Sequence, residues 1–140
     1  MEKFKFLSVE HNNALGNLIK QALVSVPTLE LAWETTTVAQ ALGVLREATP
    51  AVIILDIHLP DMCGLDAIPL MLERAPQAKV ILLTDEDDVR YQRAAESNGV
   101  HACLRKDFIA TALVMSIKRV LGTRFAQNQG DDMHFMKERM

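Results

Sequence analysis

An α/β fold is predicted, a doubly wound parallel sheet of five strands each followed by a helix, (βα)5. Two observations carry it. Short apolar runs of strand length alternate along the chain with segments whose apolar residues recur at three and four positions. The third and fourth runs, AVIIL (51–55) and KVILL (79–83), also show no polar–apolar alternation, as strands covered on both faces require.

The first strand is read at FKFLSV (4–9), followed by a helix with Leu15, Leu18, Ile19, Ala22 and Leu23 on one face. LELAW (29–33) is the second strand. Thr35-Thr36-Thr37 then supplies candidate caps for a helix carrying Val38, Ala41, Leu42 and Leu45. After the third strand, Leu65, Ile68, Met71 and Leu72 form a stripe that stops at Ala75-Pro76. The fourth strand leads to a helix over about 87–98, with Val89, Ala94 and Ala95 as its apolar face and Asn98-Gly99 as its stop. HACL (101–104) is the fifth strand, and the last helix starts near Phe108 with Ile109, Leu113, Ile117, Val120 and Leu121 inward. The remaining stretch is polar and broken by Gly130. It reads as a frayed tail or the start of a linker, dividing the chain into a domain over 1–125 and a tail over 126–140.

The chain has 140 residues, enough for one core, and its 49% hydrophobic and 24% charged composition excludes a disordered chain. A net charge of −3 argues against a nucleic-acid surface on this chain. Cys63 and Cys103 form no CxxC and read as reduced thiols. The amino terminus lacks the apolar core of a signal peptide, and no stretch reaches the ~18 apolar residues of a membrane span. The expectation is a soluble cytoplasmic protein without membrane or direct nucleic-acid contact.

Open parallel sheets place ligands at the carboxyl ends of their strands. In AVIILDIHLPDMCGLD (51–66), Asp56 ends an apolar strand. Because an isolated charge in a dry interior is costly, it is expected outside the core, at the rim. The first strand ends in Glu10-His11, the fourth in Thr84-Asp85 and the fifth in Arg105-Lys106-Asp107. If strands one, three, four and five are neighbours, Glu10, Asp56, Thr84 and Lys106 converge. Glu10 and Asp56 are hard oxygen ligands suited to Mg²⁺. Thr84 offers a hydroxyl, and Lys106 a point charge for a phosphoryl oxygen. A carboxylate can form an acyl phosphate, and phosphoryl transfer needs mainly positioning and charge neutralisation. Taken singly, Asp56 has the alternative reading of a helix cap or a solvated loop residue, Thr84 that of a cap for the helix that follows, and Lys106 that of an ordinary exposed lysine. His11, His58, His101 and His134 share no metal-ligand spacing, and DEDD (85–88) suits the amino end of a helix. A haloacid-dehalogenase-like phosphatase needs a second aspartate where His58 stands.

From about residue 3 to 125 the sequence resembles the receiver domains of two-component response regulators, most closely those preceding helix-turn-helix output domains. LDIHLPDMCGLD with Asp56, Pro60 and Gly64, VILLT with Thr84, and LRKD with Lys106 carry the resemblance. It implies a flavodoxin-like sheet in the order 2-1-3-4-5. It also implies Asp56 as phosphoacceptor for a histidine kinase or phosphotransfer protein docking on the first helix. Thr84 would be the switch hydroxyl and Lys106 the phosphoryl-binding cation. Mg²⁺ would be held by Glu10, Asp56 and the main-chain carbonyl of His58. Such a domain is not an enzyme but a phosphoacceptor that assists its own phosphotransfer. Its 87–125 face, with Val89, Ala95 and parts of the last helix, would bind a partner or a second copy as a homodimer.

Three positions depart from the pattern. Receivers usually end their first strand with two adjacent acids, and here the second, the main metal position, is His11, a poor Mg²⁺ ligand. Three outcomes stay open. Glu10 rotates in to bind the metal directly, Asp85 and Glu86 supply the missing charge, or the domain is a pseudo-receiver acting as a phosphorylation-independent interaction module. Asp85 stands where a small residue usually follows the switch hydroxyl and puts a like charge near an incoming phosphoryl group. Cys103 replaces the aromatic switch residue.

Overall fold

The computed structural model describes residues 3–85 and 89–128. Five strands, β1 (Phe4–Val9), β2 (Leu29–Thr35), β3 (Val52–Asp56), β4 (Lys79–Thr84) and β5 (Ala102–Arg105), form one parallel sheet in the order β2-β1-β3-β4-β5, the order expected. The connecting helices are α1 (Asn13–Val24), α2 (Val38–Leu45), α3 (Gly64–Arg74), α4 (Val89–Ser97) and α5 (Ile109–Leu121).

The central strand explains its own sequence. Ile53 and Leu55 of β3 pack with Leu7, Leu82, Val38, Ala41, Ile68 and Met71 on the α2–α3 side of the sheet. Val52 and Ile54 pack with Phe6, Ile81, Leu83, Ile19, Leu113 and Ile117 on the α1–α5 side. Successive side chains leave a strand on opposite faces, so burial on both faces removes every polar position until Asp56.

Local chemistry sets the helix ends. The Asn12 side chain accepts from the Leu15 amide (3.0 Å) and caps α1. Of the three candidate threonine caps, Thr37 caps α2 by accepting from the Gln40 amide (3.1 Å). Thr35 instead belongs to β2 and donates to the Ser8 carbonyl (2.9 Å). The Val38 and Ala39 amides donate to the two carboxylate oxygens of Asp61, each at 3.0 Å, which ties the β3–α3 loop to the start of α2. These two bonds hold the Asp61 carboxyl below its ordinary range. Pro69 lies inside α3, where it cannot donate to the Leu65 carbonyl. The Asn98 side-chain amide donates there instead, at 2.7 Å, so α3 continues to its expected stop at Ala75.

Some sequence expectations need correction. Leu18 is 40% exposed, because the buried face of α1 centres on Ile19 and Leu23. Ala94 is exposed, and Ala95, expected on the partner-binding surface, is fully buried in the core. The side chain of Val89 lies outside the description. A sixth helix, α6 (Thr123–Asn128), follows a turn at Gly122 with φ +56°, and its Phe125 is buried and stacks on Phe4 with ring centroids 6.4 Å apart. The boundary expected at 125 falls within this helix.

Candidate functional site

Sheet register gathers the site. Val9 pairs with Leu55, Asp56 with Leu83, and Thr84 with Arg105, so Glu10, Asp56, Thr84 and Lys106 leave the sheet along one carboxyl edge. Asp56 belongs to β3 and Thr84 to β4, Glu10 directly follows β1, and Lys106 opens the single 3₁₀ turn after β5. Glu10 and Asp56 have ligand oxygens within 4.8 Å of one another, Lys106 is 2.8 Å from Asp56, and Thr84 ends the strand that lies between β3 and β5.

Asp56 is at the strand end but not at a solvated rim, which corrects the expectation: it is 0% exposed. Its burial is tolerable because its Oδ1 accepts from the His58 amide (2.9 Å) and faces the Lys106 ammonium at 2.8 Å. The loop beyond it doubles back, with the Gly64 amide donating to the Ile57 carbonyl at 2.7 Å and residues 58 and 63 bridging antiparallel. A Cβ on Gly64 would stand 2.4 Å from the Asp56 carbonyl oxygen, so only glycine permits this approach.

Glu10 is also buried, and its Oε1 accepts from the Asn12 amide (2.9 Å). Its Oε2 and the Oδ2 of Asp56 are buried without a hydrogen bond from any other described group. Burial, and then the facing Asp56 carboxylate with which it can share a proton, push the Glu10 carboxyl up to about 8. Two buried acids with free oxygens suit a proton or a divalent cation between them, so the residues fit a metal. His11 completes the group: its Nδ1 lies 3.8 Å from Glu10 Oε1 and 3.9 Å from Asp56 Oδ2.

Asp85 is in the site as well. Its Oδ1 is 3.1 Å from Lys106 Nζ and its Oδ2 is 3.0 Å from His58 Nε2. Lys106 is thus shared between Asp56 and Asp85. Partial burial opposes its charge, but the bonds to the two acids outweigh it and raise its pKa above the ordinary value. The like charge expected of Asp85 is therefore already paired. Thr84 is buried at the end of β4. Glu86, weighed as a compensating charge, lies outside the described residues. Cys103 pairs with Leu82 in the sheet and is half-buried, and burial followed by the charge of Glu96 raises its thiol pKa.

Sequence reasoning missed the Asn12 amide on Glu10, the His58 side chain on Asp85 and the anchoring role of Asp61. The first two had no signal, because an ordinary loop residue acquires its role from the turn it sits in. The glycine in PDMCGLD was visible, but its reason is a backbone approach that only the folded loop reveals.

A five-stranded sheet in this order, with an acid, a hydroxyl and a lysine at three successive strand ends, is the arrangement of a receiver. The chain belongs to the response regulator receiver domain family, whose sequence profile matches residues 6–118. It is 27% identical over 120 residues to the transcriptional regulatory protein MctR of Rhizobium johnstonii, covering 86% of this chain and 56% of that protein. It is 25% identical to the transcriptional regulatory protein DegU of Brevibacillus brevis, covering 84% of this chain and 50% of that one. The chain thus spans about half the length of these curated relatives. Among solved structures, it resembles a DNA-binding response regulator of the LuxR family from Staphylococcus aureus, at 27% identity and TM-score 0.74, covering 84% of this chain and 98% of that one. The response regulator domain of Thermotoga maritima CheB shares the fold, with TM-score 0.77 at 20% identity over 86% of this chain and 97% of that one. Among the described residues, no helix is long and apolar enough to cross a membrane.

Proposed function

We propose that this chain is a phosphorylation-dependent signalling switch in which Asp56 accepts a phosphoryl group from a histidine kinase or phosphotransfer protein. The observation that carries this reading is the Lys106 ammonium 2.8 Å from one oxygen of a fully buried Asp56 whose other oxygen is unpartnered. An Asp56 oxygen attacks phosphorus, the P–N bond of a phosphohistidine breaks, and its electron pair stays on the imidazole nitrogen. Lys106, already placed, follows charge from the carboxylate onto a phosphoryl oxygen, and Asp85 releases its share of that cation. The Thr84 hydroxyl is the further donor for the phosphoryl oxygens.

Receiver domains generally bind Mg²⁺ through acidic residues. Here Glu10, Asp56 and the His58 carbonyl would hold the ion, which supplies neutralisation of phosphoryl charge when bound. The chain is a phosphoacceptor that assists its own modification, not an enzyme with a released product, and it works in the cytoplasm. The kinase docks beside α1. The readout is the α4–β5–α5 face, where Tyr91 and Phe108 are exposed, and it binds a partner or a second copy of the domain.

Incubation with acetyl phosphate and a divalent cation tests the reading by intact mass. The expected result is the gain of one phosphoryl group in the wild type and none in Asp56→Asn. No gain in the wild type across saturating Mg²⁺ and Mn²⁺ would establish the phosphorylation-independent interaction module instead.

A further inference from the structure

We infer that the pocket formed by Glu10, His11 and Asp56 selects a first-row transition-metal dication over Mg²⁺, with His11 as a nitrogen ligand. The inference concerns the same pocket as the proposed phosphotransfer, but its test reads metal binding alone.

The donors present argue for it. Glu10 and Asp56 each leave one oxygen, Oε2 and Oδ2, buried without a hydrogen bond, with side chains only 1% exposed, so at these two atoms the pocket pays desolvation that no described hydrogen bond repays. A cation repays it. The third donor is an imidazole rather than a carboxylate, and its Nδ1 converges on the two acids at 3.8 and 3.9 Å. The donor atoms of all three residues lie within 4.8 Å of one another. Metal–ligand bonds of about 2.1 Å put neighbouring donors about 3.0–3.4 Å apart, so His11 needs only a small side-chain rotation to close. Its side chain is 47% exposed and free to make it.

Chemistry then sets the preference. Mg²⁺ demands oxygen ligands and gains little from imidazole, whereas Mn²⁺, Co²⁺ and Zn²⁺ accept a mixed nitrogen–oxygen set, Co²⁺ more tightly than Mn²⁺. Exchanging a carboxylate for neutral imidazole also removes one negative charge, which costs the hard ion most. The other nearby imidazole, His58, is already turned onto Asp85 at 3.0 Å and does not compete.

Titrating the metal-free chain with Co²⁺, read by visible absorption, and with Mn²⁺, read by electron paramagnetic resonance with Mg²⁺ as competitor, tests the inference. One site is expected, lost in Asp56→Asn. His11→Ala should weaken Co²⁺ and Mn²⁺ by about 10-fold or more while moving Mg²⁺ little. His11→Asp should tighten Mg²⁺ by about 10-fold and collapse the Co²⁺-to-Mg²⁺ ratio. Unchanged Co²⁺ binding in His11→Ala or in Asp56→Asn, or an unchanged ratio in His11→Asp, would overturn it. Melting curves confirm that each variant is folded. Phosphorylation of Asp56 supported by Mg²⁺ alone leaves the phosphoacceptor reading standing whichever way this test falls.

Discussion

At the amino end of the sheet, Lys3, Lys5 and Arg124 line a cavity of about 560 Å³, with Thr49, Pro50 and Gln77 beside them. The two lysines are exposed, and Arg124 lies over the Phe4 ring at 5.6 Å. At the carboxyl end of the same strands, Glu10 and Asp56 are buried, two of their oxygens have no hydrogen bond, and one lysine serves two acids. Both ends gather charge, but only one removes it from water. Solvated cations cost a fold almost nothing and contribute little. Buried acids without full partners are destabilising, so a structure that retains them holds a reason other than stability. Burial, rather than the number of charges, marks the carboxyl end as the working one.

The sharpest way to break this contrast is Lys106→Met. It removes the ammonium from Asp56 and Asp85 and is expected to abolish phosphotransfer. It should also cost about 2 kcal/mol in chemical denaturation, below the value for a fully buried pair because the side chain is partly solvated. Wild-type stability would contradict the account.

Glu10 gives a smaller and pH-dependent effect. Its folded pKa of about 8 lies above its ordinary 4.5, so the folded chain keeps a proton that the unfolded chain releases. Its contribution is fully present below 4.5 and is lost as pH rises through about 8. Melting temperatures over about pH 5 to 9 should therefore fall more steeply in the wild type than in Glu10→Gln, which cannot ionise. Parallel curves would mean that the two acids do not share a buried site.

The smallest effect belongs to the opposite end. Lys3→Ala and Lys5→Ala should each change stability by less than about 0.5 kcal/mol and leave phosphotransfer unchanged. A loss comparable to that of Lys106→Met would erase the distinction between the two ends.

Much of this was legible before folding. Burial on both faces leaves β3 and β4 without alternation, and the family resemblance implies the 2-1-3-4-5 order. The weakest helix pattern misled: alanines at 94 and 95 cannot say which side is inward, and Ala95 went to the core. The strand-end residues were legible as a set because each ends an apolar run. Their environment was not. Composition gave no sign that Asp56 would be sealed from solvent, that Asp85 would reach both Lys106 and His58, or that Asn98 would replace the hydrogen bond missing at Pro69. Those contacts join residues far apart in sequence, and a single chain carries no local pattern for them.

The central claim is that Asp56 is the phosphoacceptor. Borohydride reduction of the acetyl-phosphate-treated chain, followed by peptide mass spectrometry, tests it most directly, because an aspartyl phosphate is converted to homoserine where it formed. Homoserine at position 56 and at no other aspartate is the predicted result; homoserine elsewhere, with Asp56 unmodified, would contradict it.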